Sequence, residues 1–336
     1  MVGAAHASHE GAAQGKGGGM SLVDCHVHLA ALPDGRNGCL VSRRALKSLP
    51  FRYLRWKLSL GLEDPSASNR KYVTDLVAEL RSSRHVDRAV VLGMDGIYDS
   101  AGRLDEARTD FLVANDHVLE VVGEHAELLA GVSINPRRRD AVEELHRCAE
   151  RGAVLVKVLP NTQRFDPADP AFRPFYRALA ERKLPLLSHV GYEFTLSGHD
   201  QSFGDPARLR APLDEGVMVI AAHACSSGLA IREQFFPSLL DLVRRHTGFH
   251  ADVSGLTLPN RCGILFRLRR HPELHPRLLF GTDYPLPVLH LPAWGRVGLP
   301  QLREIVRAGS RFDRQVLVCR ALGVGFRSFE AVRSPA

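Results

Sequence analysis

The chain has 336 residues, of which 45% are hydrophobic, and a formal net charge of +7 at pH 7. This length suits one large α/β barrel, and no apolar run reaches the roughly 18 residues that a membrane span needs. No nucleic-acid-binding motif accompanies the positive charge, so we expect neither nucleic acid nor a membrane as a partner. The cysteines show no Cys-x-x-Cys spacing, which favours free thiols and a cytoplasmic protein; they are Cys25, Cys39, Cys148, Cys225, Cys262 and Cys319.

The N-terminal part divides into a tail, a strand and a basic insertion. Residues 1–20 are rich in Gly and Ala without periodicity, and we expect them to be a disordered tail. The apolar run Leu22–His28 predicts the first strand. Residues 34–71 carry nine Lys or Arg against three acids. We expect short helices within Ser42–Leu62, lying over the C-terminal end of the first strand. This segment could attract an anionic substrate, or it could be an ordinary solvated helix surface.

Strands and helices then alternate to the end of the chain. Seven more apolar runs predict buried parallel strands, and helical sequence follows each of them. The predicted strands are Arg88–Met94, Leu129–Ile134, Ala153–Val158, Leu184–Ser188, Val217–Ala222, Phe249–Val253 and Leu278–Phe280. The predicted helices are Tyr72–Ser83, Asp105–His125, Asp140–Arg151, Ala171–Arg182, Pro206–Glu215, Ile231–His246, Pro259–Arg270 and one from Leu299 onward.

Eight strand–helix units indicate an α/β protein with a closed (β/α)₈ TIM barrel, forming a single domain over residues 21–336. An open doubly wound sheet is the alternative. It is disfavoured because no Gly-x-Gly-x-x-Gly follows any predicted strand. In such barrels the chemistry takes place where the C-terminal ends of the strands meet. The residues at those ends therefore form the candidate site.

Polar residues stand at the C-terminal ends of five predicted strands. His26 and His28 are two residues apart in the first strand, so their side chains point to the same face. Taken singly, each histidine could be a hydrogen-bonded core residue, the lysine could reach solvent and the aspartate could cap a turn. Their joint placement predicts a metal site, because neutral imidazoles and carboxylates bind Zn²⁺ and similar ions. The residues are His26, His28, Lys157, His189, His223 and Asp283.

With these residues the chain resembles the amidohydrolase superfamily over residues 20–325. The matching motifs are the His-x-His of the first strand, the single strand-end residues, and Gly281-Thr-Asp283. The run Leu159-Pro-Asn-Thr162 and the run Pro185–His189 resemble dihydroorotase-like members. In contrast, Phe280–Pro285 and Ala251–Ser254 resemble the branch called amidohydrolase 2. That branch holds hydrolases, lactonases and some non-oxidative decarboxylases.

The resemblance implies a metal-dependent hydrolase that cleaves an amide, a cyclic amide or a lactone. Lys157 would react with CO₂ to give a carbamate that bridges two divalent ions, with Zn²⁺ as the expected metal. A metal-activated hydroxide would attack the carbonyl group. Asp283 would accept the proton and pass it to the leaving group. The ligands of one ion would be His26, His28 and Asp283, and those of the other His189 and His223.

Two alternatives stay open. An unmodified Lys157 would leave one ion, held by His26, His28, His189 and Asp283. The catalytic residue His223 would then polarise the carbonyl group or orient water. Such a centre would suit a decarboxylase acting on an aromatic or unsaturated carboxylic acid. Lys157 argues against it, because a single ion needs no bridging carbamate. The other alternative is a barrel that binds without catalysis, against which the full set of strand-end residues argues.

Loops after the same strands offer candidate substrate contacts, namely Asn161, Arg164, Tyr192 and Tyr284. Arginine in this position would favour a substrate with a carboxylate or phosphate group, and surface ion pairing is the alternative. His199 follows the fifth strand in a long loop and could reach the pocket. We therefore expect a small-molecule substrate, anionic where arginine contacts it. The resemblance also implies a homodimer.

Overall fold

The computed structural model describes residues 22–58, 60–193, 200–230 and 232–333. The predicted tail over residues 1–20 and the candidate His199 lie outside these described residues. The described residues form ten strands. Of these, β2 and β4 form a separate antiparallel pair, and the other eight form one sheet of parallel strands, adjacent in chain order. The strands are β1 (Leu22–His28), β2 (Leu40–Val41), β3 (Val86–Leu92), β4 (Phe111–Leu112), β5 (Leu128–Ser133), β6 (Ala153–Val158), β7 (Leu186–Ser188), β8 (Val219–Ala221), β9 (Phe249–Asp252) and β10 (Leu278–Leu279).

The sheet closes through backbone hydrogen bonds between β1 and the segment that follows β10. Cys25 N donates to Phe280 O at 3.0 Å, and His28 N donates to Tyr284 O at 2.8 Å. In the other direction, Asp283 N donates to the backbone oxygen of His26 at 2.9 Å. This closure, with the parallel pairing of the other strands, confirms the predicted (β/α)₈ barrel. It also brings Asp283 against the first strand.

Helices of varied length follow the barrel strands, as the alternating sequence predicted. They are α1 (Arg43–Lys47), α2 (Leu49–Lys57), α3 (Pro65–Ser82), α4 (Asn115–Glu124), α5 (Ala141–Glu150), α6 (Pro160–Gln163), α7 (Arg173–Glu181), α8 (Arg210–Asp214), α9 (Phe236–Arg245), α10 (Gly263–Leu268), α11 (Leu299–Arg307), α12 (Arg311–Ala321) and α13 (Glu330–Arg333). None of the helices in the described ranges is long and apolar enough to cross a bilayer.

Several helix boundaries differ from those predicted. The helix predicted over Asp105–His125 comprises only α4, because Phe111 and Leu112 pair with β2 as a strand instead. Helix α3 begins earlier than predicted, at Pro65, because the Asp64 side chain caps it by accepting a hydrogen bond from Ala67 N at 2.9 Å. Helix α10 is shorter than the predicted Pro259–Arg270. The predicted start of α9 at Ile231 lies outside the described residues.

The barrel interior has its own apolar cluster, separate from the layer between strands and helices. Seven of the eight barrel strands contribute to it. Phe329 near the C-terminus is fully buried in the same cluster, and its backbone N donates to Val23 O at the start of β1. The C-terminal segment therefore packs against the N-terminal end of the barrel. The strand members are Val23, Cys25, Val90, Leu92, Leu129, Val154, Leu155, Leu187, Ile220 and Leu279.

The basic insertion forms the two short helices α1 and α2. Ser42 caps α1, and its hydroxyl also donates to Asp110 Oδ1 at 2.7 Å. Arg44 Nε donates to the same carboxylate at 2.9 Å, so α1 is joined to the loop before β4. Tyr53 and Trp56 on α2 are exposed. The placement of the insertion over the active-site face stays a prediction.

Candidate metal centre

The two histidines of β1 meet the carboxylate of Asp283. Asp283 Oδ1 lies 3.5 Å from His26 Nε2 and 3.3 Å from His28 Nε2. His26 is fully buried, whereas the His28 side chain is 24% exposed. One donor atom from each of the three residues lies within 4.8 Å of the other two. This spacing suits the ligands of one metal ion.

Lys157 reaches the same point from β6. Its side chain is fully buried, and Nζ lies 3.2 Å from His26 Nε2. Burial lowers the pKa of Lys157 to about 8, although the carboxylates of Asp252 and Asp283 oppose the change. A lysine ammonium repels a metal ion, so this side chain fits the site as a ligand only after losing its charge. The Lys157 side chain therefore lies beside His26 in the buried cluster, and its role as a ligand stays a prediction.

The opposite edge of the His26 ring is held by residues from the end of β9. His26 Nδ1 lies 2.7 Å from Asp252 Oδ2 and 3.0 Å from Ser254 Oγ. Burial opposes ionisation of Asp252, but the contact with His26 outweighs it and lowers the Asp252 pKa. With the carboxylate as acceptor, we assign the ring proton to Nδ1, which leaves the Nε2 lone pair free for a metal.

Asp252 also positions His223, the strand-end residue of β8. Asp252 Oδ1 accepts a hydrogen bond from His223 N at 2.8 Å. His223 Nδ1 lies 3.0 Å from Ser254 O and 2.9 Å from Ser254 Oγ, and its ring stacks on His26 with 5.2 Å between ring centroids. Sequence reasoning gave Asp252 and Ser254 no role. Their position at the end of the seventh barrel strand was the signal that could have found them.

The backbone around the site is strained. His223, Ala224 and Cys225 have φ values of 58°, 48° and 56°, and Asp283 has φ 65°. Left-handed backbone costs a non-glycine residue roughly 1–2 kcal/mol, and such strain is concentrated at functional sites. The turn after β8 aims the His223 ring at Ser254 and His26.

His189, at the end of β7, has a buried ring nitrogen that makes no hydrogen bond within the described part of the chain. Among the described residues, no hydrogen bond reaches Nε2, and Glu193 Oε2 is 3.6 Å away. The ring centroid lies 5.2 Å from that of His223. Burial first, and then the positive charge of Arg261, hold the pKa of both histidines well below the ordinary value. Neutral imidazoles with an unused lone pair fit a divalent metal.

Asp283 is buried, yet its surroundings favour the ionised form of its carboxyl group. Burial alone would raise its pKa, but the surrounding histidines, His223 first, hold the pKa well below its usual range. Thr282 beside it donates its hydroxyl to Asp24 Oδ2 at 2.6 Å, and His26 N donates to Asp24 Oδ1 at 2.8 Å. Burial raises the pKa of Asp24 to about 8. Asp24 thus joins the two segments that carry the ligands.

The four candidate substrate contacts lie in different surroundings. Asn161 is buried and donates to Gly191 O at 3.1 Å, while its Oδ1 has no hydrogen-bond partner among the described residues. Burial is the largest cause that lowers the pKa of Arg164, followed by the positive charges of Arg108 and Arg44. Arg164 therefore lies near charged residues of the insertion and of the loop before β4.

The rings of the two tyrosines in this set stack on phenylalanine rings. The Tyr192 ring stacks on Phe235 at 6.2 Å between centroids. Tyr284 is 1% exposed, and its ring stacks on Phe312 at 5.8 Å and lies under the Arg311 guanidinium. Tyr284 contacts a site residue through its backbone oxygen, which accepts a hydrogen bond from His28 N. Substrate binding by these four residues stays a prediction.

Known structures of related shape are TIM barrels with low sequence identity. The uncharacterized Tim-barrel protein Bb4693 from Bordetella bronchiseptica is 16% identical with a TM-score of 0.57, over 89% of this chain and 99% of that one. A probable 2-pyrone-4,6-dicarboxylic acid hydrolase from Acinetobacter baumannii, with citric acid bound, is 13% identical with a TM-score of 0.52, over 91% and 96%. The 5-carboxyvanillate decarboxylase LigW from Sphingomonas paucimobilis is 17% identical with a TM-score of 0.51, over 90% and 98%. At these identities the likeness shows the fold alone.

The sequence itself identifies the family. The family model described as amidohydrolase (Amidohydro_2) matches residues 23–304, which include all six strand-end candidates. No curated protein matches the chain significantly. Members of the superfamily are metal-dependent enzymes acting on small molecules, and the donor groups described above fit that requirement. The chain therefore belongs to the amidohydrolase family.

Proposed function

We propose that the protein is a metal-dependent hydrolase that cleaves an amide, a cyclic amide or a lactone. The observation that carries this proposal is the meeting of His26, His28 and Asp283 with Lys157, whose Nζ lies 3.2 Å from His26 Nε2 in the buried end of the barrel. A lysine is costly to bury. A carbamate made from it gives a reason for its presence among metal-binding side chains.

The proposed centre holds two divalent ions, with Zn²⁺ as the expected metal. His26, His28 and Asp283 would hold one ion, and His189 and His223 the other. Bound there, the metal would lower the pKa of a water molecule and polarise the carbonyl oxygen of the substrate. Two observations support these assignments: His189 Nε2 has no hydrogen-bond partner among the described residues, and the pKa of Asp283 is held well below its usual range.

Lys157 would be carboxylated before it becomes a ligand. The neutral amine attacks CO₂, a nitrogen–carbon bond forms, and one proton is released. A pKa lowered to about 8 increases the neutral fraction of the amine near neutral pH. The product carries a negative charge, which removes the repulsion between the lysine and a metal ion. It would also supply oxygen ligands to the two-metal centre.

Asp283 would move the proton during hydrolysis. Its carboxylate is held ionised by the neighbouring histidines, so it can accept a proton from the attacking water. It would then donate that proton to the leaving nitrogen or oxygen. The ring of His223 is held through Nδ1 by Ser254 and its backbone N by Asp252, so Nε2 takes no part in these contacts and could serve as a metal ligand.

A decarboxylase is the second candidate. In its unmodified form Lys157 already has a contact, with His26 Nε2, so a single ion on His26, His28, His189 and Asp283 would need no carbamate. One structure of similar fold is named as a decarboxylase and another as a hydrolase, and both names refer to carboxylic acids. We therefore propose a substrate with a carboxylate in either case, with Asn161, Arg164, Tyr192 and Tyr284 as candidate contacts.

Product analysis separates the two reactions. The zinc-loaded protein is incubated with a panel of lactones and cyclic amides and, separately, with hydroxylated aromatic acids. Acid release from the first panel supports the hydrolase, and Asp283→Asn should then lose roughly 100-fold or more in rate. The exposed Asp200→Asn serves as the matched control. CO₂ release from the second panel without hydrolysis of the first would replace the hydrolase by the decarboxylase.

A further inference from the structure

A buried arginine lies beside the candidate metal centre and takes no part in it. Arg261 follows β9, after two consecutive turns in which Leu258 N donates to Gly255 O and Arg261 N donates to Leu258 O. The residue is only 7% exposed. Arginine is among the residues least often buried without a partner, so its presence here calls for a reason.

Gly255 shows how close Arg261 is to the site. A Cβ atom on Gly255 would lie 3.0 Å from Asp283 Oδ2, 3.4 Å from His223 Nδ1 and 3.7 Å from Arg261 Cδ. The aliphatic stem of Arg261 therefore borders the same small space as two of the site residues.

The Arg261 guanidinium has no counter-ion in the part of the chain that the structure describes. Its Nη1 is buried and donates no hydrogen bond to any described residue. The charge of Arg261 acts to lower the pKa of Glu233. The Glu233 carboxylate, however, already accepts hydrogen bonds from Ser226 Oγ and Ser227 N, each at 2.9 Å. A buried cation without a partner is strongly destabilising. An anionic ligand would supply the missing partner.

We propose that Arg261 binds a carboxylate group of the substrate, which makes the substrate a small carboxylic acid that also carries the bond to be cleaved. The planar guanidinium offers parallel N–H donors that match the two oxygens of a carboxylate. One cation balances one negative charge, which favours a carboxylate over a phosphate dianion. This inference rests on the proposed function, because it takes the histidine cluster as the place of reaction.

Ligand binding tests the role of Arg261 without measuring catalysis. Isothermal titration calorimetry of the zinc-loaded full chain would compare benzoate, uncharged benzamide and phenyl phosphate. Arg261→Gln should weaken benzoate binding by about tenfold or more and leave benzamide unchanged, since a charge-assisted pair is lost. Arg267→Gln is the matched control, because Arg267 is exposed on α10 and stacks on Phe236. It should change neither affinity.

Arg261→Lys provides a second variant in case the glutamine variant does not fold. This variant keeps the positive charge but loses the two parallel N–H donors of the guanidinium. Benzoate should therefore bind to it about threefold more weakly than to the wild type. Wild-type affinity for benzoate in either folded variant would overturn the proposal, and so would tighter binding of phenyl phosphate than of benzoate. Arg261-dependent benzoate binding in a protein that hydrolyses nothing would support this proposal while the proposed function fails.

Discussion

His26 is the residue on which the candidate centre depends, because both edges of its ring are engaged. Nε2 faces Lys157 and Asp283, and Nδ1 faces Asp252 at 2.7 Å. A carboxylate on the far nitrogen fixes the ring orientation and makes the near nitrogen a better metal ligand. Asp252 also accepts from His223 N, so one buried carboxylate positions a ligand candidate on each of two strands.

Replacing the carboxylate tests this role. Asp252→Asn keeps the size of the side chain but removes the charge, so we expect zinc affinity to fall by about 10- to 100-fold. Competition with a chromogenic chelator measures the affinity. The control is Asp241→Asn, a carboxylate that pairs with Arg245 on the surface of the chain. Unchanged zinc affinity in Asp252→Asn would mean that the contact between Asp252 and His26 does not support metal binding.

Sequence reasoning found the strand-end residues but not their supports. His26, Lys157 and Asp283 stand out because the C-terminal end of a barrel strand is a position that the sequence pattern locates. Asp252 is 226 positions from His26, and its role arises only when β9, β10 and β1 come together. Its place at the end of the seventh barrel strand was a signal, but nothing in the local sequence shows that it contacts His26. Arg261 was missed for the same reason.

At the scale of elements, the loop after β9 has to pass very close to the site. Gly255 has φ +66°, and a side chain there would press on Asp283 and His223. The loop can take this path only because glycine has no Cβ and accepts a positive φ. The same loop carries Ser254 and Arg261. Its backbone conformation therefore positions several groups of the site together.

Gly255→Ala separates crowding from backbone strain. The control Gly323→Ala has a similar φ of +71° but no atom within 4 Å of the new Cβ. Both variants should lose roughly 1–2 kcal/mol of unfolding free energy, measured by urea denaturation. Only Gly255→Ala should also lose zinc affinity, by about tenfold. Equal zinc affinity in the two variants would contradict the crowding argument.

Elements were predicted best where the apolar pattern is long. The barrel strands follow continuous buried runs, and all eight occur in the predicted order. The helix predicted over Asp105–His125 failed in its first half because Phe111 and Leu112 satisfy their backbone groups with Leu40 and Val41. That pairing joins two distant loops, and helical periodicity gives no information about it.

At the scale of the whole molecule, the fold keeps several histidines buried and uncharged. His250 on β9 is 5% exposed, and burial, followed by the charges of Arg277 and Arg327, lowers its pKa to about 4. His26, His189 and His223 also have lowered pKa values, with burial as the largest cause. Protonation of these histidines therefore destabilises the folded state.

The sign of this effect gives a prediction for acid stability. Between pH 6.5 and about 4 the unfolded chain binds a proton at His250 and the folded chain does not, so stability falls as the pH falls through this range. His250→Gln removes the effect and should reduce the acid-induced loss of unfolding free energy by about 3 kcal/mol. Urea denaturation at several pH values measures it. The exposed His290→Gln should keep the wild-type pH profile, and an identical profile in His250→Gln would contradict the prediction.

The central claim is that Lys157 makes the barrel end a two-metal centre, and metal content tests it most directly. Protein prepared with zinc and bicarbonate would be analysed by plasma mass spectrometry, beside a Lys157→Ala variant prepared in the same way. We predict about two zinc ions per chain in the wild type and one or fewer in the variant. Equal content of a single ion in both proteins would contradict the carbamate-bridged centre and favour the mononuclear alternative.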